Sequence, residues 1–145
     1  MRALMDRLFE FAGNHPLLFA ALGGVILLIV ANEVHGRLKG DRRIGPNEAV
    51  RLINHENALV LDVRNPAEYK KGHILHARNV MANRIAEHES ELAKFKQQPV
   101  LCYCALGTVA PQACEQLRKL GFERAYSLKG GLNAWQGANL PVTTR

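Results

Sequence analysis

Cys102, Cys104 and Cys114 are the three cysteines of a 145-residue chain, and they fall within thirteen positions of one another. The thiolate is the nucleophilic form of cysteine, so a thiol becomes reactive where its surroundings stabilise negative charge on sulfur. The stretch "VLCYCALGTVAPQACEQL", Val100 to Leu117, runs from an apolar segment through a loop of small uncharged residues into a helix-like segment. A tight loop leading into a helix turns successive N–H groups inward at the positive end of the helix dipole. Cys104 ends the apolar run and opens that loop, so it is the thiol those amides would serve. The loop is Ala105, Leu106, Gly107, Thr108 and Val109. Gly107 lets the backbone turn where a Cβ would obstruct, Thr108 is placed to cap the helix, and Pro111 costs little in a first turn. Cys102 lies inside the apolar run and Cys114 on the apolar stripe of the helix, where each reads as a small core residue. The C-x-C spacing is tight for a disulfide and lacks neighbouring ligands for zinc.

A reactive cysteine needs elements to hold it. From about Ile44 the chain alternates short apolar runs with helix-like stretches. "GPNEAVRLIN" has a helix start at Pro46 and Asn47, with Ala49, Leu52 and Ile53 on one face. "ALVLDVR" is nearly continuous in apolar residues, as expected of a strand covered on both faces. "NPAEYKKGH" gives a turn with one or two helical turns, and "ARNV" a short strand. "RIAEHESELAKF" is expected to be helical, with Ile85, Leu92 and Phe95 inward. "PVLCYC" is a strand, "VAPQACEQLRKLGF" a helix stopped by Gly121, "RAYSL" the last strand and "GGLNAWQG" a closing helix with Trp135 as core. Such alternation means a parallel sheet with helices on both faces. Ligands then sit at the carboxyl ends of the strands, where Cys104 and the Asp62–Arg64 pair of "LDVR" would line one crevice.

The first 36 residues differ in texture. Pro16 to Asn32 contains no ionisable side chain, and the run with its edges, about 16–34, reaches roughly the thickness of a bilayer's hydrocarbon layer. A signal peptide is the competitor, but the leading segment carries Asp6 and Glu10 and no small-x-small cleavage site follows the apolar core. A retained single transmembrane helix is expected, followed by a basic linker over 37–43. Arg37, Lys39, Arg42 and Arg43 after the span outnumber Arg2 and Arg7 before it, which places the C-terminal part in the cytoplasm. The formal net charge of +6 is therefore concentrated beside the membrane rather than in a nucleic-acid surface. Ala20 and Gly24 form a small-xxx-small pair, a weak hint that two spans pack together. The odd cysteine count fits no disulfide framework and favours a reducing compartment. His73 and His76 have no third ligand nearby, so neither a metal nor a cofactor is called for.

The segment 44–142 resembles a single rhodanese domain. The resemblance rests on "LDVRNPAEYKKGHILHARNV" (Asp62, Arg64, Glu68, Tyr69, Gly72, His73, Ile74, Ala77 and Asn79), on "VLCYCALG" and on "LRKLGFERAYSLKGGLNAWQGANLPV". The layout with a preceding span is similar to small membrane-anchored bacterial members. The resemblance implies an α/β fold around a five-stranded, mostly parallel sheet. It also implies that Cys104 accepts sulfane sulfur as a persulfide, that Ala105 to Val109 supply the amides, and that Asp62, Arg64, Glu68 and His73 chiefly fix the structure around the second strand. The partners so implied are a sulfur donor or acceptor protein, or a small thiol, at the inner membrane.

Active members often carry a cation just after the cysteine, and Arg or a hydroxyl residue at the end of the loop, followed by Ser. Ala105, Val109 and Ala110 stand there in this chain. One charge-assisted hydrogen bond is worth about 1.5–3 kcal/mol, so poor turnover of anionic thiosulfate is expected. The related phosphatases of the same fold use a C-x5-R loop, and neither Thr108 nor Ala110 supplies that arginine. Two functions are consistent with these residues: a membrane-anchored sulfurtransferase acting through Cys104, and a catalytically weak domain used as a membrane-tethered protein-binding module.

Overall fold

Parallel pairing at the centre of a sheet leaves no face for water, and the strand sequences show it. Leu59–Asp62 (β2) and Val100–Tyr103 (β5) are buried at every position in the computed structural model, which describes residues 2–38 and 42–145. Lys39 of the basic linker expected over 37–43 thus lies outside the described residues.

The chain divides near residue 40 into two units. The first holds α1 (Arg2–Asn14) and α2 (Pro16–Leu38). Within α2, Pro16–Val34 is 19 residues long with a mean hydropathy of 2.3. By length and composition it can cross a membrane, and such a helix serves an anchor or a signal sequence alike.

The second unit carries a five-stranded sheet in the order β1 (Arg43–Ile44), β6 (Ala125–Leu128), β5, β2, β4 (Arg78–Asn79), with every pairing parallel. Register aligns Leu61 with Cys102 and Cys102 with Ser127. Because side chains alternate across a strand, Leu59, Leu61, Cys102 and Cys104 face one side of the sheet. There they pack with Ala110, Ala113, Cys114 and Leu117 of α6 (Ala110–Lys119). Val60, Leu101, Tyr103 and Leu128 face the other side, against α3 (Pro46–Glu56) and α7 (Gly131–Gly137). All three thiols therefore belong to one core, on the α6 side.

Two features depart from expectation. The polar stretch before β5 is not one helix. It runs as a 3₁₀ segment Ala82–His88, a single α turn α5 (Glu89–Leu92) and a 3₁₀ turn Ala93–Phe95. Ile85 and Leu92 are fully buried while Phe95 is only partly so; anchors this sparse do not specify a continuous amphipathic helix. Next, "RAYSL" is not the last strand. Val142–Thr143 (β7) pairs antiparallel with His73–Ile74 (β3), two residues each and too short to announce themselves in sequence. The edge strand β1 is equally short. The remaining element, α4 (Pro66–Lys71), starts where Asn65 Oδ1 accepts from the Glu68 N–H at 2.9 Å.

Candidate active site

Cys104 directly follows strand β5, and the carbonyls that come next are held from across the domain. The Leu132 N–H donates to Cys104 O at 2.8 Å and the Asn133 N–H to Ala105 O at 3.1 Å, so the first turn of α7 pins the start of the loop. The loop then wraps the sulfur. The Gly107 and Val109 N–H groups donate to Cys104 Sγ at 3.1 and 3.4 Å. Gly107 has φ +84°, and a Cβ on it would meet Gly130 N at 2.8 Å, so both its conformation and its space require glycine. Val109, not Thr108, occupies the N-cap of α6 and makes no side-chain cap bond. The loop runs one residue further than a Thr108 cap would allow, which is what brings the Val109 amide to the sulfur.

The side chains around this cradle are uncharged. Ala105, Leu106, Thr108 and Val109 are exposed, Leu106 at 63% and Val109 at 42%, whereas Cys104 itself is 4% exposed. A groove of about 290 Å³ begins at Val109 and is lined by Met81 and by the carboxamides of Asn65, Asn83, Gln112 and Gln116, again with no charged side chain. No motif marks this groove in the sequence, because its residues come from three separated segments.

Cys102 and Cys114 are completely buried. The Cys102 thiol is pushed well above its ordinary range, first by its hydrogen bond with Cys114 and then by burial. It stays protonated and serves as packing.

Asp62 and Arg64 are brought to each other. Arg64 Nε lies 2.9 and 3.1 Å from the two carboxylate oxygens, Nη2 lies 2.5 Å from Oδ2, and the Arg64 N–H donates to Oδ1 at 3.0 Å. Nη2 also donates to Gly72 O at 2.7 Å. The bond to Asp62 raises the Arg64 pKa further, so this cation is permanent. Asp62 is fully buried and the Arg64 side chain only 8% exposed. Arg64 does reach a shallow depression of about 260 Å³ with Glu68, Lys71, Leu132 and Gln136. Leu132 there is the residue that holds Cys104 O, so both sites stand at the same end of the sheet.

Neighbouring residues complete this frame. Asn79 Nδ2 donates to Asp62 O and Arg64 O at 3.0 and 2.9 Å. The His73 ring stacks on Tyr69 at 3.7 Å, its Nδ1 lies 2.9 Å from Tyr69 O and its Nε2 3.1 Å from Arg145 O. The Tyr103 hydroxyl accepts from the Ile74 N–H at 3.0 Å. Among the described residues no cluster of three His, Cys, Asp or Glu is arranged to hold a metal.

Known proteins are similar to this chain in sequence and fold. The profile of the rhodanese-like domain matches residues 45–138. YibN of Escherichia coli K12 is 32% identical over 139 residues, covering 95% of this chain and 97% of its own length. The thiosulfate sulfurtransferase GlpE of Vibrio cholerae O1 is 34% identical over 99 residues, 68% of this chain and 92% of its own. Among solved structures, a rhodanese-related protein from Thermoplasma volcanium superposes with a TM-score of 0.62 at 28% identity, over 72% of this chain and 99% of that one. With the parallel sheet, the cysteine at its strand end and the loop pinned by the first turn of α7 all in place, this chain belongs to the rhodanese-like domain family.

Proposed function

We propose that the chain is a membrane-anchored sulfurtransferase that carries sulfane sulfur as a persulfide on Cys104. One observation supports this above others: two backbone N–H groups, from Gly107 and Val109, converge on Cys104 Sγ. Both are placed to donate to a sulfur carried at that position, without any side-chain participation. In the first half-reaction the Cys104 thiolate attacks the outer sulfur of a donor R–S–SH. Its electron pair forms the new S–S bond, the donor's S–S bond breaks, and the donor leaves as R–S⁻. In the second, an acceptor thiolate attacks the terminal sulfur of Cys104–S–SH and Cys104 departs as the thiolate. Sulfur moves at constant total charge and no external oxidant is consumed.

The uncharged surroundings set the donor class. Thiosulfate is a dianion, and Arg64 is already engaged by Asp62 and Gly72 O. A protein-bound persulfide or a small thiol persulfide needs no cation on the loop and can use the carboxamide groove beside Val109. The apolar stretch Pro16–Val34 serves as the anchor, and the charge asymmetry of its flanks supports a rhodanese domain on the cytoplasmic face of the inner membrane. On this reading residues 1–36 carry the anchor, 37–43 the linker and 44–142 the catalytic domain.

The test is intact mass of the full-length protein in detergent after exposure to a persulfide donor. Gain of one sulfur atom that is removed by reductant and absent in Cys104→Ser is the expected result; no such gain sinks the proposal. The exposed Leu106 and Val109 beside an uncharged groove also suit a binding module. That second reading gains ground if Cys104→Ala retains every co-purifying partner of the wild type while the mass test fails.

A further inference from the structure

Helix α1 plays no part in the sulfur chemistry, and its side chains are sharply sorted. At 3.6 residues per turn, Leu4, Met5, Leu8, Phe9 and Phe11 share one arc of about 160°, and Arg2, Asp6, Arg7, Glu10 and Asn14 take the remainder. The apolar arc is uncovered, with Leu4 66% and Phe9 71% exposed. Only His15 separates α1 from the apolar stretch of α2 that starts at Pro16. Helical bonding reaches across the junction: the His15 N–H donates to Phe11 O at 3.0 Å and the Phe19 N–H to His15 O at 3.1 Å. Pro16, though, has no N–H to give and its ring crowds the turn before it, so this junction is the weakest point of the helical path.

A helix that ends one residue from a span ends at the depth of the headgroups. An apolar arc with two phenylalanines and a charged opposite arc is what the boundary between headgroups and acyl chains accommodates, with the apolar side immersed by about 5–10 Å. The charges on the polar arc cancel, Arg2 and Arg7 against Asp6 and Glu10. Attraction to anionic lipid is thus not what would hold the helix; apolar burial is.

We propose that α1 lies in the membrane interface on the N-terminal side of the span, with Leu4, Met5, Leu8, Phe9 and Phe11 in the acyl boundary and its charged arc among the headgroups. This rests on α2 spanning the bilayer, and it makes the anchor a two-part device. The span fixes depth, and the interfacial helix fixes its tilt and rotation. With the rhodanese domain in the cytoplasm, α1 lies at the opposite leaflet.

The test uses the full chain with Cys104→Ser, reconstituted in pure phosphatidylcholine vesicles and carrying one nitroxide at Phe9→Cys, Glu10→Cys or Leu27→Cys. The residual Cys102 and Cys114 are completely buried. Collision rates with oxygen, which concentrates in lipid, are compared with those of an aqueous nickel chelate. The expected result is that labels at Phe9 and Leu27 favour oxygen and the label at Glu10 favours the chelate, unchanged when anionic lipid is added. A lipid-buried Leu27 with Phe9 as open to the chelate as Glu10 overturns the interfacial helix and leaves the span standing. Spin–spin broadening at Phe9 with protection from both reagents shows a second copy covering the face, and also overturns it. A chelate-accessible Leu27 removes the span and the proposal together.

Discussion

A methyl group built on Gly131 would stand 2.4 Å from the carbonyl oxygen of Cys104. It would also meet Ala105 O and Gly107 N at 2.7 Å each, from a residue whose φ is +59°. The start of α7 is thus pressed against the backbone of the sulfur-binding loop, and its amides bond to it.

Gly131→Ala is expected to displace that loop. Overpacking of this kind costs about 1–3 kcal/mol, and the left-handed backbone adds about 1–2 kcal/mol for a residue with a Cβ. Sulfur loading and alkylation of Cys104 should fall at least tenfold, while Gly137→Ala, with nothing within 4 Å of the new methyl, should leave both unchanged. Equal behaviour of the two variants in a timed iodoacetamide reaction would show that the contact with α7 does not shape the loop.

The central sheet and Cys104 were legible because they depend on local pattern: an apolar strand, a cysteine at its end, a small-residue loop and a helix with Ala110, Ala113, Cys114 and Leu117 at helical spacing. The division of the thiols followed from the same periodicities. The role of Gly130 and Gly131 was not legible, although the pair stood out as a motif. It depends on a backbone approach between residues 23 or more positions apart, and a backbone contact leaves no trace in side-chain pattern. The β3–β7 pair was hidden for a related reason, since two-residue strands have no periodicity to read. Asp62 and Arg64, two apart on an extended chain, project to the same side. Their structural pairing was legible there; the third partner, Gly72 O, was not.

That pair carries the second prediction. Asp62 is fully buried and Arg64 nearly so, and the guanidinium forks onto both carboxylate oxygens. Removing one partner strands the other charge, which costs about 3–5 kcal/mol. Asp62→Ala should lose that much in urea unfolding followed by circular dichroism. Arg64→Lys, which keeps the charge but cannot fork, should lose a smaller, non-zero amount. A loss below about 0.5 kcal/mol for Asp62→Ala, the range of ordinary surface changes, would mean that the pair is not holding the end of β2.

Alkaline stability gives the third. Hydrogen bonding to Cys114 and burial raise the folded-state pKa of Cys102, and burial does the same to Tyr103. A group whose folded pKa is raised binds its proton more tightly folded than unfolded. Its contribution is fully present below the unfolded pKa, about 8.5 for a thiol and about 10 for a phenol, and is lost as pH rises toward the folded value. The urea midpoint should therefore decline above about pH 8.5 and more steeply above about pH 10. In Cys102→Ala the first part of that decline should be reduced, from a lower starting stability. A wild-type midpoint that is flat from pH 7 to 10 would contradict the raised thiol.

The fourth prediction turns the missing charge into a gain. The Val109 N–H donates to Cys104 Sγ, but the Val109 side chain points out, 42% exposed, and takes no part in that bond. Its replacement can therefore leave the amide cradle in place. An arginine there, or at the exposed Ala105, would bring a cation to the mouth of the site, where described side chains of the loop provide none. One charge-assisted hydrogen bond to an anionic donor is worth about 1.5–3 kcal/mol, which is about ten- to a hundredfold in binding. Val109→Arg and Ala105→Arg should each raise kcat/KM for thiosulfate within that range. Sulfur loading from an uncharged-headed persulfide donor should change little, because that donor has no sulfonate to clamp. The two donors thus separate the contributions: the backbone amides act on the sulfur that both present, and the side-chain cation acts only on the charge that thiosulfate adds. If both arginine variants leave thiosulfate turnover unchanged while loading from the persulfide persists, access past Leu106 rather than missing charge is what excludes the anion.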